Sequence, residues 1–214
     1  MTTPPNKPEA RARPLPPLYG LVLAGGASKR MQRDKATLEY HGRPQLAWAF
    51  EFLSSRCERT FVSVRPDQVA DPLRARYPQV VDSLHDIGPI AGIAAAQAAH
   101  PAVAWLVLAC DLPFVSPAAI ERLIAERDGG SAIAYRSAHD GLPEPLCAIY
   151  EPGTQRAVLD GIANGKLCPR KLLLRLEAPL LELPEPAALD NVNTPEEFAA
   201  ARSSLSDDPA TTRP

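Results

Sequence analysis

The chain has 214 residues, 45% of them hydrophobic, with 23 Lys+Arg against 25 Asp+Glu and a formal charge of −2. This suits one globular domain, and the near balance of charge argues against partners held by a global field, whether nucleic acid or an anionic membrane surface. No apolar run reaches the roughly 18 to 20 residues of a bilayer-spanning helix, and the Pro-rich start MTTPPNKPEARARPLPP lacks the apolar stretch of a secretory signal, so a cytoplasmic setting is expected.

Pro4, Pro5, Pro8, Pro14, Pro16 and Pro17 crowd the beginning, and Pro209 and Pro214 the end, without apolar periodicity at either place. Residues 1–17 and 204–214 are therefore expected to be disordered tails around one folded domain at 18–203. Inside it, Tyr19 to Ala24 reads as a buried strand that stops at Gly25-Gly26. Pro44 to Ser54 has Leu46, Ala49, Phe50 and Leu53 at helical spacing behind an opening proline. Thr60 to Val64 predicts a second strand, Asp67 to Arg76 a helix, and Gln79 to Asp82 a third strand. Pro89 to Ala99 is a helix of small residues suited to close approach, and Val103 to Ala109 is the strongest strand, running into Cys110-Asp111-Leu112-Pro113.

Ser116 to Glu126 carries an N-cap serine followed by proline. Later strands are expected at Ser131 to Tyr135 and Leu146 to Tyr150, helices at 152–163 and 168–175, and a capped helix at Thr194 to Ala201. The alternation predicts an α/β fold, a three-layer α/β/α Rossmann-like sandwich with a mostly parallel mixed sheet. Sites in such sheets lie outside the carboxyl ends of the strands.

Three segments meet that rule: Leu23 to Met31, Asp111, and Asp82 to Gly92. Paired glycines let backbone N–H groups approach an anion, and Lys29, Arg30, Arg33 and Lys35 follow them, a pattern suited to phosphate; the bland alternative is a strand-to-helix turn with a solvated charge cluster. The loop lacks G-x-G-x-x-G, and Gly161 to Leu167 is one residue short of a P-loop and has no Ser/Thr. Asp111, at the end of an apolar strand, needs a cation or a pairing partner, which makes Mg²⁺ the leading candidate and a turn or cap role the alternative. Asp190-Asn191-Val192-Asn193 offers further short polar oxygens, or a plain turn with a cap. Cys57, Cys110, Cys147 and Cys168 form no C-x-x-C pair and read as reduced structural thiols. His41, His85, His100 and His139 read as surface or loop residues without a catalytic partner.

LAGGASKRM with Asp34-Lys35, GPIAG at 88–92, CDLP at 110–113 and NVNTPEEF at 191–198 together resemble the molybdenum-cofactor guanylyltransferases, over about residues 18–202. The resemblance implies a nucleotide-diphospho-sugar transferase-like fold, Mg²⁺ as cofactor, and transfer of GMP from GTP to molybdenum-molybdopterin with release of pyrophosphate. It also implies possible partners among cofactor-delivery proteins or apo-molybdoenzymes. By motif position, Leu23, Ala24, Gly25 and Gly26 would bind the nucleotide, with Asp82. Lys35 would meet the phosphates, Arg30 would offset triphosphate charge, and Asp111 would hold the metal. Gly88, Gly92, Asn191 and Asn193 would lie in the acceptor or metal vicinity, with Arg170 and Lys171 as further cations for the pterin phosphate or, alternatively, a solvated helix start. Two departures stand out: Gln32 and Arg33 follow the signature Met where a Gly is common, and Glu144-Pro145 replaces His-Pro. The rival readings are a cytidylyltransferase acting on the same cofactor, a transferase acting on a sugar or alditol phosphate, and a non-catalytic cofactor-delivery module.

Overall fold

The structure, a computed structural model, describes residues 14–26, 33–84 and 86–206. Seven strands form one sheet: β1 (Leu18–Leu23), β2 (Arg59–Val64), β3 (Gln79–Val81), β4 (Ala104–Ala109), β5 (Ala132–Arg136), β6 (Pro143–Tyr150) and β7 (Leu180–Leu181), in the order β3-β2-β1-β4-β6-β5-β7. β1 lies between β2 and β4, parallel to both, and β3 extends that parallel half. β6 runs antiparallel to β4 and β5, while β7 pairs parallel with β5, which makes the sheet mixed but mostly parallel.

Alternation along the strands feeds two cores. Leu18 and Val22 of β1 and Ala104, Leu106 and Leu108 of β4 join one; Leu21, Trp105 and Val107 join the other. Period-two side chains on a strand buried on both faces give this near-continuous apolar run. The first core packs against α1 (Gln45–Ser54) and α3 (Pro117–Ala125), the second against α2 (Pro89–Ala99), α4 (Gln155–Ala163) and α5 (Pro169–Arg175). The result is the expected three-layer α/β/α sandwich. Among the described residues no helix is long and apolar enough to cross a membrane.

A third, smaller core decides where the site can form. α6 (Pro195–Ser206) lays Ala201 and Leu205 on Leu38, Tyr40 and Val192, with Tyr40 and Phe198 ring to edge at 5.0 Å. The helix start is a reciprocal capping box, in which Thr194 Oγ1 accepts from Glu197 N–H at 3.2 Å and Glu197 Oε2 accepts from Thr194 N–H at 3.2 Å. This packing brings the segment before α6 against the chain that follows the Gly25-Gly26 turn.

Several elements differ from the sequence reading, among them β7, which it did not predict. The helix expected at Asp67 to Arg76 is two single 3₁₀ turns, Pro66–Gln68 and Arg74–Arg76. Pro72 breaks a continuous helix, and Asp71 Oδ1 instead accepts the N–H groups of Leu73 (3.2 Å) and Arg74 (2.9 Å), closing a local turn. β6 begins at Pro143, before the expected Leu146, and α6 runs to Ser206, with Leu205 buried. Ahead of β1, the Pro17 carbonyl accepts from Ala104 N–H at 2.9 Å and the Pro16 carbonyl from Arg127 at 3.0 Å.

Candidate nucleotide site

A cleft of about 490 Å³ opens at the carboxyl ends of β1, β2, β3 and β4, where the strand order reverses direction around β1. Leu23, Ala24, Gly25, Gly26, Lys35, Asp82, Gly88, Gly92 and Asp111 all line it, so most of the residues singled out from the sequence meet in one place. Arg30 and His85 lie outside the described residues, as do the other positions from 27 to 32.

Lys35 stands in the first turn after the signature loop, where Asp34 caps a short 3₁₀ turn by accepting Ala36 N–H at 3.0 Å. Its ammonium donates to Asp111 Oδ2 at 3.0 Å and to Asn193 Oδ1 at 2.6 Å. Three distant segments thus converge on one cation. Asp111 arrives because β4 ends in the cleft; Asn193 arrives because Val192 N–H donates to the Asp111 carbonyl at 3.0 Å and Glu197 Oε2 accepts Asn193 N–H at 2.6 Å. Asn191 is exposed, and neither asparagine lines the cleft, but Asn193 Oδ1 accepts from Lys35.

On the opposite wall Asp82 Oδ1 accepts Leu84 N–H at 2.9 Å, turning the chain toward Gly88. Gly88 sits at φ +74° immediately before Pro89, a conformation that favours glycine at the entry to α2. A Cβ on Gly92 would collide with Ser63 Oγ and the Leu23 side chain, so glycine there lets α2 press onto the ends of β1 and β2 without displacing them. Gly25 and Gly26 line the cleft, and a Cβ on Gly26 would meet nothing within 4 Å.

Two arginines in the β2–β3 connection escaped the sequence reading. Arg65, lining the cleft, donates to the Gly25 carbonyl and holds Asp67 through two bonds at 3.0 Å. Arg74, 1% exposed, donates to the Ala24 carbonyl at 3.2 and 2.8 Å and forks onto Asp34 at 2.6 and 2.9 Å. Burial opposes the charge of Arg74, but the bonds to Asp34 and Asp71 outweigh it and hold its pKa above the usual value. The available signal was Asp71-Pro72, an Asx-turn dipeptide that argues against a helix there.

The other half of the sheet presents a separate charged edge. Arg170, at the start of α5, pairs with Asp140 at 2.7 Å and Glu144 at 3.5 Å; His139 Nε2 meets Asp190 Oδ1 at 2.7 Å. Lys171 lies instead along a second concavity with Lys166, Cys168 and Arg175. His41 is stacked on Trp48 at 4.3 Å and bonded to the Pro113 carbonyl, and burial lowers its pKa. Cys110 and Cys147 are buried, which pushes both thiols up, Cys147 to about 12, away from thiolate chemistry.

Known proteins resemble this chain over most of its length. Residues 20–178 match the MobA-like NTP transferase domain. A Synechocystis molybdenum cofactor biosynthesis bifunctional protein is 37% identical over 85% of this chain, which spans 53% of that protein's length. The molybdenum cofactor guanylyltransferase of Pseudomonas paraeruginosa is 34% identical over 86% of this chain and 94% of its own. Among solved structures, molybdopterin-guanine dinucleotide biosynthesis protein A from Archaeoglobus fulgidus superposes with a TM-score of 0.75 at 28% identity, over 89% of this chain and 100% of that one. The chain belongs to the MobA-like NTP transferase domain family.

Proposed function

We propose that this member of the MobA-like NTP transferase family moves GMP from GTP onto the terminal phosphate of molybdenum-bound molybdopterin, giving the guanine dinucleotide cofactor and pyrophosphate. The observation that carries this reading is the convergence of Asp111 and Asn193 on Lys35, beside a cleft that Lys35, Asp111, Gly25 and Gly26 line. Relatives named as molybdenum cofactor guanylyltransferases support the choice of nucleotide and acceptor.

In this reaction an acceptor phosphate oxygen attacks the α-phosphorus of GTP, the new P–O bond forms as the bond to the bridging oxygen breaks, and pyrophosphate leaves with that electron pair. The nucleophile is already ionised, so the site needs positioning and charge compensation rather than a general base. Lys35 supplies a cation beside the phosphates, and the Gly25 and Gly26 N–H groups supply donors. Asp111 and Asn193 offer a carboxylate and an amide oxygen, the hard donors Mg²⁺ takes, and they already share one cation in Lys35. Among the described residues no group of three His, Cys, Asp or Glu could cage a metal alone, which suits an ion held by one carboxylate and by substrate phosphates. Mg²⁺ there would supply charge stabilisation on the transferring phosphoryl group.

The test offers GTP, CTP and ATP separately with Mg²⁺ and molybdenum-loaded molybdopterin, and identifies the dinucleotide by mass. Product from GTP alone is expected. A CTP preference would move the chain to cytidylyl transfer, and no product with any nucleotide would leave a binding or delivery role.

A further inference from the structure

We propose that Arg74 is a positioning residue for nucleotide transfer, a buried clamp that fixes both stems of the signature loop and thereby aims Lys35. The inference rests on the reading of the cleft as a triphosphate site.

All three guanidinium nitrogens are committed. Nε and one terminal nitrogen donate to the Ala24 carbonyl, both terminal nitrogens fork onto the Asp34 carboxylate, and one also reaches Asp71 Oδ1 at 3.2 Å. Ala24 is the last residue before the Gly25-Gly26 turn, and Asp34 is the residue directly before Lys35. One planar group therefore joins the point where the chain leaves β1 to the point where it returns, ten residues later. Ala24 is held from its other side too, since its N–H donates to the Ser63 carbonyl at 3.3 Å. Asp34 in turn sets the next residues, because its Oδ1 accepts both Arg74 at 2.9 Å and Ala36 N–H at 3.0 Å. The orientation of Lys35 toward Asp111 and Asn193 follows from that turn.

Lysine cannot do this work. A rigid fork with five donors matches a carboxylate and a carbonyl together, whereas an ammonium is a point charge with three rotatable donors. Arg74 is absent from the cleft lining, whereas Ala24 and Asp34 belong to it, so Arg74 acts through the backbone and through Asp34. Arg65, on the adjoining Gly25 carbonyl, lies at the cleft surface and does not replace it.

The experiment measures GTP affinity by calorimetry with Mg²⁺, and kcat and KM for transfer, in the wild type, Arg74→Lys, Asp34→Asn and Asp71→Asn. Asp71 touches neither stem of the loop, and Asn would keep an Oδ1 acceptor for the Leu73 and Arg74 N–H groups that close the turn, so Asp71→Asn removes only a charge beside the guanidinium. Arg74→Lys is expected to lower kcat about 100-fold, the scale of a misplaced catalytic group, and to weaken GTP binding, while Asp71→Asn stays near wild type in both. Asp34→Asn decides the matter even if Arg74→Lys does not fold. Removing a negative charge from the cleft wall would tighten GTP binding if Asp34 acted only through its charge, and would weaken binding and slow transfer if it is the far end of the clamp. Weaker GTP binding in Asp34→Asn supports the proposal. Tighter binding, or a folded Arg74→Lys with wild-type kcat and affinity, overturns it alone. A wild type that binds no GTP overturns the reading of the cleft and the clamp with it.

Discussion

On the parallel half of the sheet Arg74 is 1% exposed and spends its whole guanidinium on two stems of one loop; on the antiparallel half Arg170 is 31% exposed and shares itself between Asp140 and Glu144. The first arrangement is locked by packing and by strands that align β1, β2 and β4. The second belongs to a hairpin turn and a short helix at the surface. Exposed ion pairs of this kind are screened and worth little to the fold, whereas a buried forked pair that lost one partner would leave an uncompensated charge. A nucleotidyltransferase has reason to differ in this way between its halves. Under the proposed function, a triphosphate needs fixed donors where charge builds up, whereas a bulky second substrate must be admitted and released.

That contrast yields tests of decreasing size. Asp111→Ala removes the carboxylate at the end of β4 and is expected to cut turnover about 10³-fold, since metal stabilisation of a phosphoryl group is worth several kcal/mol. The fold should persist by circular dichroism, because the side chain lies at the cleft surface rather than in either core. Retained turnover would break the assignment. Lys35→Ala comes next, with kcat/KM for GTP expected to fall about 100-fold, as for loss of one preorganised donor; equal values in variant and wild type would show that Lys35 serves the fold alone.

Arg170→Ala should sharpen the comparison from the other half. It is expected to raise the acceptor KM about tenfold, the scale of one charge-assisted hydrogen bond, and to leave GTP affinity unchanged. Loss of GTP affinity would mean that the two halves are not separate sites. The smallest effect is at His139. Its bond to Asp190 raises its pKa above the ordinary 6.5, so the contact stabilises the fold fully below that value and fades as pH rises through the raised one. In an NMR titration Asp190→Asn should bring the His139 midpoint down; an unchanged midpoint would dissociate the pair in solution.

Much of this was legible before the fold was known, for physical reasons that also explain the gaps. β1 and β4 are buried on both faces and write themselves as unbroken apolar runs, and the glycines at 88 and 92 mark where backbone must turn sharply or come close. Leu23 to Gly26, Lys35, Asp82, Gly88, Gly92 and Asp111 line the cleft as the spacing suggested. Arg74 stayed hidden because its neighbours, read as a helix, would have placed it on a solvated face, and only the turn closed by Asp71 and Pro72 directs it inward. Asn191 and Asn193 are equivalent as letters; the α6 packing on Leu38 and Tyr40 is what selects Asn193 for Lys35. β6 concealed its beginning behind Pro143 and Pro145, residues that weaken a strand signal in a sequence.

The proposal that the cleft at Gly25, Gly26, Lys35 and Asp111 holds the nucleotide is tested most directly by amide hydrogen exchange with and without Mg²⁺ and GTP, acceptor omitted. Protection is predicted at Gly25 and Gly26 and around Lys35 and Asp111, with residues 139–144 and 168–175 unchanged. Protection confined to those latter segments, with the Gly25-Gly26 turn exchanging as before, would contradict the account.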